Sequence, residues 1–132
     1  MFNTASNRSK DNLKGINHKL IALVGYALAI SDQDFFVNEG LRSTETQQKY
    51  FAQKRSKLDG VTKKSQHQLG RAVDVYYTGW KDTDSADDPR WYKLYDAFQK
   101  AADALRIKIV IAGRDWTTFK DMPHIELHKS EK

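Results

Sequence analysis

The stretch SQHQLGRAVDVYY, residues 65–77, contains the clearest strand pattern of the chain. Within it, Ala72, Asp74 and Tyr76 alternate with apolar or aromatic residues at positions 73, 75 and 77. A period of two places successive side chains on opposite faces of a β-strand, so the stretch predicts a strand with two different faces. A carboxylate among small and aromatic neighbours is costly unless it is paired or coordinated, so Asp74 requires a partner.

The nearest candidate partner is His67, which precedes Asp74 in the same stretch. Gly70 lies between them and can adopt the positive φ that a tight turn requires. Such a turn folds His67 back beside the strand. The sequence therefore predicts that an imidazole and a carboxylate meet there.

A second cluster of polar residues, DMPHIEL, occupies positions 121–127. Alternation in HIEL places His124 and Glu126 on one face of a short strand and Ile125 and Leu127 on the other. Together, the two predicted strands carry imidazoles and carboxylates on their faces.

The first predicted helix has apolar residues at helical spacing from Leu13 to Leu28. Lysines precede its apolar core, and Ala27-Leu28-Ala29 resembles a cleavage site, as in a secretory signal. The apolar stripe begins within the charged part, however, which favours an amphipathic helix. We therefore expect no signal peptide and a mature protein that begins near Met1.

A second helix is predicted from about Glu45 to Lys57. Thr44 and Gln47 have the spacing of a capping box at its start. We expect this helix to bury the aromatic pair Tyr50-Phe51.

The acidic loop KDTDSADD, residues 81–88, invites comparison with a calcium-binding EF-hand. Counted from Asp82, it has Asp87 where glycine is required and Lys93 where the bidentate glutamate should be. We therefore expect no EF-hand, and Asp88 followed by proline indicates the N-cap and first position of a third helix.

The order of predicted elements gives the fold class. Further strands are predicted at Phe35–Val37, at 107–113 and at HIEL. The third helix has one apolar stripe, formed by Trp91, Leu94, Tyr95, Phe98, Ala101, Ala102 and Leu105. We predict an α+β domain, residues 1–132, in which helices pack on a small antiparallel sheet.

Composition limits the possible classes of protein. The 132 residues suffice for one modest core. Cysteine is absent, which excludes disulfides and thiolate metal sites. The longest mainly apolar run, Leu20 to Ile30, is shorter than the roughly 18 residues of a membrane span, so no membrane insertion is expected.

The net charge of +5 is unevenly distributed, because all of the excess lies in residues 1–64. The densest part is KRSKLDGVTKK, residues 54–64, which would attract nucleic acid, a wall polymer or anionic lipid headgroups. A solvated basic loop explains it equally well. No aromatic residues are interleaved there and no nucleic-acid motif is present, so nucleic acid is not the expected partner.

Two histidines and one carboxylate form a ligand set that catalytic zinc sites use. Three protein ligands leave a fourth position for water, whose pKa falls to about 7. His67, Asp74 and His124 fit this set with one zinc ion, and Asp121 is the candidate that transfers protons without being a ligand. By spacing alone, ordinary structural histidines remain an alternative, because no HExxH-type pattern is present.

These motifs resemble those of a known family. SQHQLGRAVD matches the SxHxxGxAxD signature of zinc D-Ala-D-Ala carboxypeptidases and L-alanyl-D-glutamate endopeptidases, and DMPHIE matches the DxxHxE signature of the endopeptidase branch. EGLRSTETQ resembles the GxRSxxxQ segment, and AGRDWTTFKDMPHIEL resembles the GxDW segment that runs into the last motif. The likeness covers most of residues 10–128, and the chain is similar to single-domain phage endolysins.

The resemblance implies a Hedgehog/DD-peptidase-like zinc peptidase domain with a role for each matched residue. His67, Asp74 and His124 would be the zinc ligands, and Asp121 the general acid/base. Arg42 would bind a substrate carboxylate or steady the carbonyl oxygen in the transition state, a task that suits the fixed fork of a guanidinium.

Other residues would have supporting roles. Ser65 and Gln47 would contact the peptide, although Gln47 also has its capping role. Glu126 would orient a ligand, since a fourth ligand would close the site. Trp116 would line the cleft or pack in the core, and Arg114, which replaces a glycine of the family, would alter the cleft wall. His18 and His128 are not assigned to the site.

The implied activity is hydrolysis of peptidoglycan stem peptides, most directly between L-Ala and D-Glu, during host lysis. Carboxypeptidase branches usually carry glutamate where this chain has Asp121, which favours the endopeptidase over the alternative of D-alanyl-D-alanine cleavage. A non-catalytic, zinc-stabilised wall-binding module is a further alternative. We expect a monomer, made in the host cytoplasm, that reaches the wall through a membrane pore.

Overall fold

The computed structural model describes residues 3–132. In this range the helices are α1 (Asn7–Asn12), α2 (His18–Ile30), α3 (Thr44–Ala52), α4 (Pro89–Leu105) and α5 (Ala112–Asp115), and the strands are β1 (Phe35–Glu39), β2 (Ala72–Tyr77), β3 (Ile109–Ile111) and β4 (His124–Leu127). The sheet has the order β1-β2-β4-β3, and each neighbouring pair is antiparallel. The predicted α+β class with a small antiparallel sheet is therefore confirmed. No helix within residues 3–132 combines the length and the apolar character that crossing a bilayer requires.

The core lies between one face of the sheet and helices α2 and α4. Val73, Val75 and Tyr77 of β2 are at most 1% exposed, whereas Asp74 and Tyr76 are only partly buried. The alternation predicted for this strand is thus confirmed. Burying the apolar face against the helices leaves the face with Asp74 available for a site.

Helix α4 begins where the sequence indicated. The Asp88 side chain accepts a hydrogen bond from the backbone N–H of Arg90 at 2.9 Å, and Pro89 occupies the first helical position. The predicted apolar stripe is buried except at Leu105, which is 37% exposed at the end of the helix.

The acidic loop before α4 is attached to the sheet through Tyr77. The Tyr77 hydroxyl donates to Asp84 Oδ2 at 2.6 Å. Asp84 Oδ2 also accepts a hydrogen bond from the backbone N–H of Lys81 at 3.0 Å. The pKa of Tyr77 is raised to about 12, chiefly because the side chain is buried and secondly because it is hydrogen-bonded to the Asp84 carboxylate. Asp84 therefore has a structural role within the loop.

The helix predicted from Leu13 to Leu28 is wrong at its start, because α1 ends at Asn12 and residues 13–17 form a turn before α2 begins at His18. Gly15 has a φ of 79° in that turn, and Asn17 caps α2 by accepting from the backbone N–H of Lys19 at 2.9 Å. Leu13 and Ile16 remain buried, at 7% and 6% exposure. Apolar spacing alone does not distinguish a buried turn from another helical turn.

The prediction for the next helix is also wrong in several details. Ser43 is the N-cap of α3 and accepts from the N–H of Thr46, so Thr44 and Gln47 do not form the capping box. The helix ends at Ala52, and Phe51 is 46% exposed. The strand predicted over 107–113 is likewise shorter, because α5 begins directly after Ile111.

The turn before β2 has the predicted geometry. Gly70 has a φ of 69°, and its carbonyl accepts from the N–H of Asn17 at 2.8 Å. A Cβ added at this position would lie 2.8 Å from the carbonyl oxygen of Gly15. The turn that returns His67 to the strand therefore requires glycine for both its φ and its close backbone contact.

Gly70→Ala is expected to lower the free energy of unfolding by at least about 1–2 kcal/mol, the cost of a left-handed conformation for a residue with a Cβ. Urea denaturation measures the change. Gly25→Ala is the matched control, since an added Cβ there meets no atom within 4 Å and helix α2 should gain slightly. Equal stability of Gly70→Ala and the parent would contradict the prediction.

Candidate metal centre and cleft

The two sequence motifs meet on the open face of the sheet. Strands β2 and β4 pair so that Asp74 lies directly opposite His124. His67 reaches the same point from the turn before β2, and the centroids of the two imidazole rings lie 5.0 Å apart. Both histidines are buried, at 3% and 7% exposure.

His67, Asp74 and His124 could hold a metal ion. Asp74 Oδ1 lies 3.2 Å from His67 Nε2 and 3.3 Å from His124 Nδ1, and one ligand atom from each of the three residues lies within 4.8 Å of the others. Tetrahedral ligands at zinc bond lengths of about 2.0–2.2 Å are separated by about 3.3–3.6 Å. The donor types of this set and the two distances to Asp74 therefore fit a zinc ion.

Each imidazole is oriented by a contact at its other ring nitrogen. His67 Nδ1 lies 2.9 Å from the carbonyl oxygen of Gly40, which can only accept, so Nδ1 carries a proton and Nε2 faces the centre. His124 Nε2 lies 2.7 Å from Glu126 Oε1. Glu126 thus contacts His124 on the side away from Asp74, the arrangement by which carboxylates orient metal-binding histidines.

The electrostatics of the centre favour a bound cation. Burial alone would raise the pKa of Asp74, but its hydrogen bonds to the two imidazoles hold that pKa well below its ordinary value. Burial disfavours the charged form of His124, yet the contacts with Asp74 and Glu126 outweigh burial and raise its pKa to about 9. The carboxylates thus stabilise positive charge at this point.

The centre lies in an open cleft of about 720 Å³. Asp121 and Trp116 line it on the β4 side, and the Trp116 ring lies 5.4 Å from that of His124. Asp121 is outside the group of possible metal ligands among residues 3–132. The pKa of Asp121 is raised, chiefly because the carboxyl is buried and secondly because the charge of Asp74 is near.

Ser65 also lines the cleft, and its hydroxyl accepts a hydrogen bond from the backbone N–H of Gln68 at 3.2 Å.

Arg42 lines the same cleft as the candidate metal centre, and its guanidinium is held on two sides. It binds Glu39 through Nε at 2.7 Å and through Nη2, and it donates from Nη1 to Gln47 Oε1 at 2.7 Å. Glu39 Oε1 in turn lies 3.7 Å from His67 Nδ1. The position of Arg42 is therefore fixed relative to the centre.

Gln47 lies beneath Arg42 and is fully buried. Its amide nitrogen donates to Ser56 Oγ at 2.9 Å and to the carbonyl oxygen of Leu58 at 2.7 Å. This burial contradicts the expectation that Gln47 contacts the peptide directly. Because its polar atoms are satisfied inside the protein, Gln47 instead connects Arg42 to the segment after α3.

Sequence reasoning missed Glu39. The β1–β2 pairing places it opposite Asp74, at a point where the register shifts after Val37. The spacing of Glu39 and Arg42, three residues apart, is a signal that could have indicated their pairing.

Three other residues that the sequence analysis considered lie outside the cleft lining. Arg114 bonds to Gln99 at 2.9 Å and to its neighbour Asp115, so the expected change to the cleft wall is wrong. His18 begins α2, and His128 Nδ1 contacts Ser130 at 2.8 Å. Neither histidine lies in the cleft, in agreement with their exclusion.

A sheet that presents two imidazoles and a carboxylate at an open cleft, with a further carboxyl beside them, has the arrangement of groups that metal-dependent hydrolases use. Residues 1–129 match the model of the family described as phage L-alanyl-D-glutamate peptidase. The chain belongs to this family, which confirms the resemblance seen in its motifs.

A solved structure gives the same relationship. The crystal structure of the Serratia marcescens L-Ala D-Glu endopeptidase ChiX superposes with a TM-score of 0.79 and is 32% identical in sequence. The match covers 92% of this chain and 87% of that one. The likeness therefore extends over nearly the whole fold as well as the motifs.

Proposed function

We propose that the protein is a zinc-dependent endopeptidase that hydrolyses the L-Ala–D-Glu bond of peptidoglycan stem peptides. The observation that carries this proposal is the meeting of His67, Asp74 and His124 on the floor of an open cleft. The family to which the chain belongs indicates the bond that is cut.

The three residues would hold one zinc ion. When bound, zinc supplies a Lewis acid that polarises the scissile carbonyl group and acidifies water. The single anionic ligand, Asp74, leaves a net positive charge for this purpose. Glu126 and the Gly40 carbonyl keep the two imidazole rings in the required orientation.

Asp121 is the proposed general acid/base. Its carboxyl group would take a proton from the attacking water and then donate one to the nitrogen of the departing D-Glu. Its place on the cleft wall, outside the ligand group, supports this role. The adjoining Met122-Pro123 linkage restricts the backbone and helps to keep the carboxyl in place.

Arg42 is proposed to stabilise the negative charge that develops on the carbonyl oxygen. Glu39 and Gln47 hold its guanidinium, so little rearrangement is needed during the reaction. Gln47 thus acts as a positioning residue. Ser65 and Trp116 are proposed to contact the peptide from the cleft walls.

The proposed setting is the bacterial cell wall during lysis. The protein would be made in the host cytoplasm, reach the wall through a separate membrane pore and act there as a monomer. It would need no nucleic acid and no membrane anchor for this activity.

Purified protein incubated with stem peptides is expected to release L-Ala, or the L-Ala-containing fragment, from the D-Glu-containing remainder. Mass spectrometry of the products identifies the bond. Loss of the terminal D-Ala alone would replace the endopeptidase assignment by a carboxypeptidase. Binding to intact walls without any cleavage would instead support a non-catalytic binding module.

A further inference from the structure

The segment that follows α3 contributes three cationic residues to the cleft lining. Lys54, Arg55 and Lys57 all line the cleft. The cationic group of Lys57 lies 3.6 Å from the centroid of the Phe119 ring. Of the three residues, only Arg55 carries a guanidinium, whose fork of donors matches a carboxylate.

Arg55 is held in place by the end of α3. Lys54 adopts a left-handed conformation with a φ of 59°, its N–H donates to the carbonyl of Phe51, and the N–H of Arg55 donates to the carbonyl of Tyr50 at 2.8 Å. This pair of hydrogen bonds is the Schellman motif, which fixes the direction of the chain after a helix. The backbone of Arg55 is therefore set relative to Tyr50.

The Arg55 side chain is ordered by the same tyrosine. Its guanidinium carbon lies 4.3 Å from the centroid of the Tyr50 ring, and that of Arg42 lies 4.8 Å from it. Stacking on an aromatic ring restricts a guanidinium while leaving its N–H donors at the ring edge free to bind.

The two guanidinium groups differ in their charge partners. Glu39 neutralises Arg42, whose side chain is only 12% exposed. Arg55 is exposed and has no carboxylate partner among residues 3–132. Of the two guanidinium groups, that of Arg55 is therefore the one available to bind a carboxylate that enters the cleft.

The substrate supplies such a carboxylate beside the bond that is cut. A glutamate residue has two carboxyl groups, and only one of them can continue the peptide chain. The other remains free on the residue that follows the scissile bond. A guanidinium fork binds a carboxylate through two parallel hydrogen bonds, which a lysine ammonium cannot reproduce.

We propose that Arg55 is a specificity-determining residue that binds the free carboxylate of the D-Glu residue after the scissile bond. This inference rests on the proposed function and adds to it the group that Arg55 recognises. It predicts that the enzyme distinguishes D-Glu from its carboxamide, D-isoglutamine, which has the same shape without the charge.

The test compares two tripeptides, L-Ala-γ-D-Glu-L-Lys and the same peptide with D-isoglutamine, on the parent and on Arg55→Met. The parent is expected to favour the carboxylate peptide by about 10- to 100-fold in kcat/KM, the usual value of a hydrogen bond to a charged group. Arg55→Met should lose most of this preference by slowing cleavage of the carboxylate peptide only. Arg55→Lys, which keeps the charge but not the fork, should be intermediate.

Lys64→Met is the matched control, since it removes the same charge from an exposed position of the same basic stretch outside the cleft lining. It should retain the parent's preference. The inference is overturned if Arg55→Met also keeps the preference, or if it slows both peptides equally, because the latter indicates a structural role. Urea denaturation verifies folding, and Arg55→Lys decides the question if Arg55→Met does not fold.

A binding measurement separates this inference from the proposed function. Calorimetry with the γ-D-Glu-L-Lys dipeptide and its carboxamide requires no turnover. If the parent cleaves neither tripeptide, the proposed function fails, whereas Arg55 is still judged by whether its replacement removes the affinity difference between the dipeptides. No difference between the parent and Arg55→Met in that measurement overturns the inference.

Discussion

Asp121→Ala is expected to lower kcat by about 10²- to 10⁴-fold, the usual contribution of a general acid/base, while zinc binding is retained. The physical reason is that Asp121 lines the cleft without belonging to the ligand group. Without its carboxyl, no side chain in the proposed mechanism carries the proton from water to the leaving nitrogen. Steady-state kinetics on a stem peptide, together with metal analysis of the same preparation, measure both quantities.

Asp96→Ala is the matched control for this substitution. Asp96 lies on α4, pairs with Lys100 at 2.9 Å and has a side chain that is 64% exposed. Its replacement removes a carboxylate that is outside the cleft lining, so activity should be unchanged. If Asp121→Ala instead loses its zinc, Asp121 is a ligand, and if it keeps full turnover, the proton is transferred by another group.

His67→Ala is expected to abolish both zinc binding and turnover. Replacing residues that merely orient a ligand typically costs 10- to about 100-fold in metal affinity, and removal of a ligand should cost more. Two ligand atoms, from Asp74 and His124, would remain. Metal analysis after dialysis measures the loss, and a zinc-dependent rise in Tm should be present in the parent and absent in the variant.

His128→Ala tests whether this effect is specific. His128 contacts Ser130 near the end of the chain and lies outside the cleft. The variant should bind zinc and cleave peptide like the parent. Retention of stoichiometric zinc by His67→Ala would show that the three residues do not form the site, and the hydrolytic mechanism proposed for them would have to be abandoned.

Much of the site was visible in the sequence because its residues lie in short regular segments. The period of two in RAVDVYY and HIEL predicted strands β2 and β4, and Gly70 predicted the turn that returns His67. The motif resemblance added Arg42. In contrast, the late start of α2 and the early end of α3 were not predicted, since both depend on turns whose apolar or basic residues also suit a helix.

The sequence by itself determined which side chains share a strand face, because backbone geometry alone fixes that alternation. Only the tertiary structure decided which strands are neighbours: the β1-β2-β4 order places Glu39 and His124 opposite Asp74. It also decided that Gln47 is buried beneath Arg42 and that Arg55 stacks on Tyr50. Contacts between distant segments depend on how the apolar faces pack together, and no local pattern specifies that packing.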